Sequence, residues 1–234
     1  MAKWHTEWKV LPHRPLRRLE DNLQVVDGPL PKAPMDRRMT VVRLPDGRLV
    51  VHNAMALDEA SMAALEAWGT MAFLIVPNGF HRLDAFAFKQ RYPAMKVIAS
   101  PHGRDKIGAA VPIDGGPELL PAGVISGELL DGDKCGEMAF IITHGATKTL
   151  LLNDALFNMQ HRPGFSGIVM RTLGSTGGLK LTRIMKTFGL SDTGAAKAHL
   201  ARLAATPGLA RLIVSHGDIL EGADVGARIT AAVG

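Results

Sequence analysis

Three polar side chains, those of His81, Asp154 and His216, each follow an apolar run that is typical of a buried strand. A carboxylate at the mouth of such a strand is costly unless it binds a cation or accepts several hydrogen bonds. Open α/β sheets place their ligands just past the strand ends. Two imidazoles and one carboxylate suit Zn²⁺, or Fe²⁺ where other coordination positions stay open. These residues are therefore predicted to bind one metal ion.

The strands that would position these residues are short and apolar. Leu150, Leu151 and Leu152 form an unbroken run, as expected for a strand buried on both faces. A hairpin is predicted around the turn Pro45-Asp46-Gly47. The predicted strands cover residues 23–26, 40–42, 49–51, 73–76, 96–99, 137–142, 149–152 and 212–214.

Helices alternate with these strands. Asp58 can cap the first helix, and Gly69 can end it. Helices are predicted over residues 58–68, 81–92, 104–110, 179–188, 193–205 and 223–233. The alternation indicates α/β layering. Residues 1–38, which are rich in Pro and Arg, are predicted to wrap the surface as an arm before a single domain over 39–234.

Composition excludes several classes of protein. The chain has 234 residues, of which 47% are hydrophobic and 21% charged, so it can bury a core. A net charge of +5 with scattered cations and 5% aromatic residues argues against a nucleic-acid partner. The longest apolar run, residues 71–76, is far too short for a membrane span, and no membrane partner is expected.

Cysteine usage indicates the compartment. Cys135 is the single cysteine and lies in a polar stretch, so no intrachain disulfide can form. This is typical of a reducing environment, and a cytoplasmic location is expected. The start of the chain has no apolar region of the length that a signal peptide needs.

Each candidate ligand also has a structural interpretation. Asp154 could cap a strand-to-helix turn, His81 could be a helix N-terminal residue that donates to a backbone carbonyl, and His216 could be a turn histidine. The three assignments stand or fall together. His102 and His144 are interpreted as loop histidines.

The segments HRLDAFAFKQRYPAMKVIAS, TLLLNDALF and LIVSHGD occur in an order that resembles the metallo-β-lactamase superfamily, most of all a divergent branch of unknown function. The resemblance runs from about residue 39 to the end and implies a four-layer αββα sandwich. In that family an H-x-H-x-D-H motif opens the site, a later Asp bridges two metals, and a final His follows the last core strand. His81 matches the last His of the motif, Asp154 the bridging Asp, and His216 the final His.

The sequence departs from the family before His81, where IVPNGF replaces the first two His and the Asp of the motif. Residues 126–138, where the family's middle ligand is expected, contain no His. One of the two metal sites is therefore predicted to be lost. The remaining site implies a metal-dependent hydrolase that holds one zinc or iron ion and acts on an ester, thioester, amide or phosphodiester.

Further polar residues are candidates for supporting roles. Asp84 lies three residues after His81 and would share one face of the predicted helix, so it is predicted to orient that imidazole or to act as a catalytic base. Asn78 and Asn153 are candidate donors to a developing oxyanion. Asp218 is a further candidate to orient a ligand.

Other functions stay open at this point. The erased motif equally fits a catalytically inactive binding or scaffold protein of the same fold, which would hold no ion. Two histidines and a carboxylate also fit an iron-dependent redox enzyme, which nothing else in the sequence supports. The substrate is an unknown small molecule, and a homodimer that involves the arm with Trp4 and Trp8 is left open. The Gly174–Gly178 stretch is interpreted as a lid or linker.

Overall fold

The first sheet of the computed structural model, which describes residues 4–31 and 33–234, has six strands in chain order. Neighbouring strands are antiparallel from the first to the fourth and parallel from the fourth to the sixth. The predicted hairpin around Pro45 is confirmed. The strands are β1 (Arg17–Glu20), β2 (Leu23–Pro29), β3 (Asp36–Arg43), β4 (Arg48–His52), β5 (Thr70–Val76) and β6 (Lys96–Ala99).

The second sheet has five strands, and a separate two-stranded ribbon lies between them in sequence. The strands that follow β6 are β7 (Ile125–Leu129), β8 (Met138–His144), β9 (Thr147–Leu151), β10 (Phe157–Met159), β11 (Gly178–Lys180), β12 (Leu209–Ile213) and β13 (Leu220–Glu221). The sheet order is β13-β12-β9-β8-β7, and β10 pairs with β11. Only the β9–β12 pair of this sheet is parallel among the described residues.

Six α-helices, one π-helical turn and two short 3₁₀ helices, Pro101–Gly103 and Pro117–Leu119, complete the described part of the chain. The α-helices are α1 (Glu59–Trp68), α2 (Ala85–Arg91), α3 (Arg104–Gly108), α4 (Gly164–Thr172), α5 (Thr193–Ala204) and α6 (Val225–Val233), and the π-helical turn is Met185–Gly189. As predicted, the Asp58 side chain accepts a hydrogen bond from the Ser61 amide and caps α1. No helix among residues 4–31 and 33–234 is long and apolar enough to cross a membrane.

Apolar side chains alternate between the two faces of the strands and form three apolar layers. Val41 packs in the layer beneath α1 and α2, whereas its neighbour Val42 packs between the two sheets. Leu150 packs against the helices of the second sheet, α5 and α6, and Leu151 faces the first sheet. Because successive side chains of a strand point to opposite faces, each sheet is covered on both sides. The layers run helix, sheet, sheet, helix, which is the predicted αββα sandwich.

The N-terminal segment differs from the predicted arm. It contributes β1, β2 and the start of β3 to the first sheet, and residues 4–16 precede these strands without regular structure. The predicted strand 23–26 is longer because β3 offers a continuous antiparallel partner, from the Leu23–Val42 pair to the Pro29–Asp36 pair. The irregular part is anchored by Trp8, whose indole Nε1 donates to the Leu57 carbonyl over 3.0 Å.

Two helices begin later than predicted. The helix predicted over 81–92 begins at Ala85, because the Asn78 side-chain oxygen accepts the amides of Phe80 and His81 and holds them in a turn. The helix predicted over 179–188 gives its first residues to β11 and ends as the π-helical turn. His81 therefore lies in a loop between β5 and α2.

Candidate metal centre

The site lies where the carboxyl ends of four parallel-paired strands meet. β4 and β5 are parallel neighbours in the first sheet, and β9 and β12 are parallel neighbours in the second. Asn53 follows β4, His81 follows β5, Asp154 follows β9 and His216 follows β12. Stacking the two sheets brings these four loops together at one edge.

The three predicted ligands converge on one carboxylate oxygen. Asp154 Oδ1 lies 3.0 Å from His81 Nε2 and 3.2 Å from His216 Nε2. One donor atom from each residue lies within 4.8 Å of the other two. The cluster is largely buried, with 16% of the Asp154 side chain exposed and less of the two histidines.

The second nitrogen of each imidazole is held by an acceptor. His216 Nδ1 donates to the Asp36 carbonyl oxygen over 2.7 Å. His81 Nδ1 lies 3.2 Å from the Asn53 side-chain oxygen, which can only accept. Both Nδ1 atoms therefore carry a proton, and both Nε2 atoms face Asp154 Oδ1. Second hydrogen bonds of this kind fix the tautomer and orientation of metal-binding histidines.

Asn53 occupies an unusual backbone conformation. It is the one residue other than glycine with positive φ in the described chain, at 56°, and it is 2% exposed. Its side-chain nitrogen donates to the Arg38 carbonyl oxygen over 2.8 Å, which turns the side-chain oxygen toward His81. Buried residues in this region of φ and ψ cluster at functional sites. The sequence signal was present, since Asn53 follows an apolar strand just as Asp154 does.

An arginine of β3 holds the His216 loop in place through two hydrogen bonds. Arg38 donates from Nη1 to the Val214 carbonyl over 2.7 Å and from Nη2 to the Gly217 carbonyl over 2.9 Å. Gly217 has φ of 102°, and a Cβ there would overlap the Asn158 carbonyl oxygen. The His216 ring also packs on Phe157, with ring centroids 4.7 Å apart.

A buried glutamate that sequence reasoning missed supports the Asp154 loop. Glu137 is fully buried, and its Oε1 accepts the backbone amides of Asn153, Asp154 and Ala155 over 2.8, 2.9 and 3.1 Å. Burial, followed by the Asp154 charge, raises the pKa of Glu137, and the amide donors oppose that shift. A carboxylate next to the apolar run of β8 was the available signal.

The second oxygen of Asp154 is occupied by an amide. Asn78 Nδ2 donates to Asp154 Oδ2 over 2.8 Å and lies 3.2 Å from Glu137 Oε2. Burial works to raise the pKa of Asp154, but His81 and His216 more than offset it and hold that pKa well below the ordinary value. The carboxylate is therefore ionised at neutral pH.

The prediction that Asp84 orients His81 is corrected by this geometry. The prediction assumed one shared helix, but His81 precedes α2. The Asp84 carboxylate is fully buried, where Oδ2 pairs with Arg37 Nη2 and Oδ1 with His5 Nδ1, each over 2.6 Å. Asn53 makes the contact with His81 instead, and Asp84 joins the N-terminal segment to β3 and α2.

The other predicted polar residues also serve the framework. Asn78 and Asn153 are fully buried, and the Asn153 side-chain oxygen accepts the Ser215 hydroxyl. Neither lines the open space beside the cluster. Asp218 is exposed and lies near Gln160. His102 and His144 lie outside the cluster, near Asp133 and Glu20.

Comparison with solved structures decides the fold. DIM-1 metallo-β-lactamase matches at a TM-score of 0.64 and 12% identity, covering 96% of this chain and 98% of its own. TMB-1 matches at 0.63 and 11%, covering 95% and 98%, and a metallo-β-lactamase from Hirschia baltica matches at 0.56 and 12%, covering 94% and 98%.

This chain has the metallo-β-lactamase fold. No protein-family model matches the sequence, and no curated protein matches it either. The identities of 12% and 11% show the fold alone.

Within the metallo-β-lactamase fold, this chain keeps a cavity beside the cluster. The cavity has a volume of about 490 Å³ and is lined by His81, Asp154 and His216 together with apolar side chains. Cys135 also lines it, with Sγ 3.1 Å from Asp133 Oδ1. Burial, followed by the charge of Asp133, raises the pKa of the Cys135 thiol far above its ordinary value, so it stays protonated. Cys135 is not among the donor atoms that converge on Asp154 in the described chain.

Proposed function

We propose that this protein is a metal-dependent hydrolase with one ion held by His81, Asp154 and His216. One observation carries the proposal: two imidazole Nε2 atoms and a carboxylate oxygen converge from three loops, while the Nδ1 atom of each ring faces an acceptor elsewhere. Two imidazole nitrogens and a carboxylate oxygen, once free of protons at that point, are the donor set that a divalent cation joins. The donor set suits zinc, or iron under reducing conditions.

A bound ion of this kind would polarise a carbonyl oxygen and lower the pKa of a water ligand to about 7. The residues of the chain would supply the rest. Asn53 and the Asp36 carbonyl hold the two rings in register, and Glu137 fixes the loop that presents Asp154. The apolar lining of the cavity would surround the part of the substrate next to the scissile bond.

The proposed site is mononuclear. A second ion on the bridging carboxylate would need Asp154 Oδ2, and Asn78 donates to that oxygen from a buried position. Asn78 is itself tied to Glu137 on the other side. The Asn78 amide thus donates to the Asp154 carboxylate on the side of the site where the family's absent H-x-H-x-D-H motif would lie.

A second candidate is a non-catalytic binding protein. The observation that favours it is the pair of short contacts from Asp154 to the two imidazoles, which one added proton on a ring would turn into a stable ion pair without any metal. The buried, unpaired state of Cys135 fits a reducing compartment for either candidate, and we propose the cytoplasm.

The test is metal-dependent turnover. Protein freed of metal with a chelator is assayed against esters, thioesters and amides before and after zinc or ferrous iron is added. We expect activity only with metal, and a loss of at least about a hundredfold in His216→Ala. His161→Ala is the matched control, because His161 contacts Thr176 outside the cluster and should keep full activity. Metal binding without turnover of any substrate would favour the binding protein.

A further inference from the structure

The cavity beside the cluster is mostly apolar outside the three metal-binding residues. Phe80, Phe157, Ile184, Met185 and Phe188 line it, and they come from the β5–α2 loop, β10 and the helical segment before α5. His81, Asp154 and His216 form the polar part of the lining, and Thr182 adds one hydroxyl. An extended ligand would therefore contact mainly apolar side chains beyond the cluster.

No lysine or arginine is among the described residues that line the cavity. The one fixed charge in the lining is the Asp154 carboxylate. Away from the cluster, an anionic group on a ligand would lose its hydration without gaining a partner among these lining residues. Chains that carry a phosphate or carboxylate remote from the metal-binding residues are therefore disfavoured.

Three apolar side chains of the lining stay open to solvent. Phe80 is 62% exposed, Phe188 is 67% exposed and Ile184 is 38% exposed. Single exposed apolar residues are ordinary, but a group around one opening marks a binding surface. A bound apolar chain would cover them.

The wall of the cavity that the π-helical turn forms contains a flexible side chain, Met185. Met185 and Gly189 delimit the π-helical turn, a rare conformation that occurs frequently at functional sites. A Cβ at Gly189 would overlap the Met185 sulfur, so the glycine lets this flexible side chain fold back on the turn. Methionine fills gaps of irregular shape, and this wall can fit chains of different length.

We propose that the cavity binds the apolar acyl chain of a neutral ester, thioester or amide and presents its carbonyl to the metal cluster. The hydrolysis step rests on the proposed function, whereas the binding of the acyl chain does not. Hydrolysis would place the hydroxyl of water on the carbonyl carbon, break the bond to the alcohol, thiol or amine, and transfer a proton to that leaving group. The products would be a carboxylic acid and the neutral leaving group.

The test uses two series of straight-chain compounds: N-methyl amides as binding probes for protein freed of metal, which should not hydrolyse them, and methyl esters as substrates for the metal-loaded protein. We expect amide affinity, measured by calorimetry, to rise about fourfold for each added methylene until the cavity is full. The rise should persist in Asp154→Asn, which lacks the metal-binding carboxylate. Phe188→Ser should weaken long amides about tenfold and leave short ones unchanged.

Leu119→Ser is the matched control, because Leu119 is 37% exposed and does not line the cavity. Chain-length-dependent binding without hydrolysis would refute the hydrolase and keep the acyl site. Hydrolysis with affinity independent of chain length, or equal losses in the two serine variants, would overturn the acyl site alone. Tighter binding of an amide whose acyl chain carries a carboxylate at its remote end would overturn it as well.

A second inference rests on a different observation, the charge of residues 155–191. This segment holds five of the 27 basic residues and none of the 22 acidic ones. The basic residues are Arg162, Arg171, Lys180, Arg183 and Lys186. The segment therefore carries a charge equal to the net charge of the whole chain.

The same segment exposes an apolar stripe on α4. Phe165 and Ile168 are 82% and 62% exposed, and Val169 and Leu173 are also exposed. Their spacing places them on one face of the helix. Arg183 donates to the Thr172 carbonyl over 3.3 Å and links the end of α4 to the segment that carries Lys186. The apolar stripe thus lies among cations.

We propose that this stripe docks on an anionic lipid bilayer. Apolar side chains that insert at the headgroup boundary, with Lys and Arg beside them, are the usual features of an interfacial helix. A symmetric contact with a second copy of the chain is disfavoured, because it would set the basic segment against itself. This contact is peripheral and differs from a membrane span.

The test is sedimentation with lipid vesicles. Vesicles rich in phosphatidylserine should bind the protein, vesicles of phosphatidylcholine alone should bind it weakly, and high salt should release it. Phe165→Ser and Arg171→Glu should each weaken binding about tenfold. Leu119→Ser and Arg228→Glu, at exposed positions outside this segment, are the matched controls.

Equal binding to both vesicles, or equal losses in the control variants, would overturn the proposal. So would a failure to bind vesicles combined with a dimer that Phe165→Ser dissociates. A failure to bind vesicles combined with tight binding of an acidic amphipathic peptide at this stripe would overturn it too.

Discussion

His81 Nδ1 lies 3.2 Å from the side-chain oxygen of Asn53, a buried residue with φ of 56°. Glycine adopts this conformation freely, so Asn53→Gly removes the contact and keeps the backbone. We expect zinc affinity to fall about 10–100-fold, because the His81 ring loses the acceptor that fixes its tautomer. Competition with a chromogenic chelator measures the affinity.

Asn53→Ala distinguishes the loss of the His81 contact from strain in the backbone at this position. It should lose the same affinity and in addition lower the free energy of unfolding by about 1–2 kcal/mol, since alanine is strained at positive φ. Unchanged zinc affinity in the glycine variant would show that Asn53 does not position the ligand.

Glu137 tests how the Asp154 loop is held. Glu137→Ala leaves three buried amides without an acceptor, at about 1–3 kcal/mol each, so the free energy of unfolding should fall by at least about 3 kcal/mol. Glu137→Gln keeps an oxygen there and should cost about 1 kcal/mol. Urea denaturation gives both values. If Glu137→Ala lowered the free energy of unfolding only slightly, water or a rearranged loop would have to replace the carboxylate as acceptor.

Asp84 distinguishes a structural role from a catalytic one. Asp84→Asn breaks the buried pair with Arg37 and should lower the free energy of unfolding by about 3–5 kcal/mol. The kcat of the folded fraction should stay unchanged, because Asp84 makes no hydrogen bond to the cluster among the described residues. A large fall in kcat with normal stability would restore the catalytic role predicted from the sequence.

The fold was largely predictable from the sequence. The unbroken run Leu150–Leu152 indicated a strand buried on both faces, and the three strand-end polar residues indicated the edge of the sheet where the site lies. The start of α2 was not predictable from periodicity, because the Asn78 side chain turns the chain before the helix begins. That local hydrogen bond also removed the basis for assigning Asp84.

The residues that hold Asp154 in place were harder to predict, because they contact it from positions distant in the sequence. Asn78 meets Asp154 only once the two sheets stack, and Glu137 reaches the Asp154 loop across the β8–β9 pair, contacts that no periodicity reports. Of the N-terminal strands, β1 was missed and β2 was predicted only in part for a related reason. The run 23–26 is short, and its stability comes from pairing with β3 and from burial of Leu23 and Val25 between the sheets.

His52 predicts a pH dependence of stability. It is fully buried with neither ring nitrogen hydrogen-bonded, and burial lowers its pKa from 6.5 to about 3. The unfolded state therefore binds a proton that the folded state excludes, so stability is complete above pH 6.5 and falls as the pH drops toward 3. At pH 4.5 the loss through this residue should be roughly 3 kcal/mol.

His52→Phe should flatten that part of the pH profile, because the new ring needs no hydrogen bond and can pack against Phe140 as His52 does. The comparison is urea denaturation of both proteins at pH 8 and pH 4.5. The same difference between the two pH values in both proteins would assign the acid sensitivity to other groups.

The central claim is that His81, Asp154 and His216 together bind one metal ion. The most direct measurement is the metal content of protein loaded with zinc, or with ferrous iron under reducing conditions, and then freed of excess ion. We expect one ion per chain in the wild type and in His161→Ala, and none in His216→Ala or Asp154→Asn. A wild-type protein that retains no ion, or variants that retain as much as the wild type, would contradict the claim.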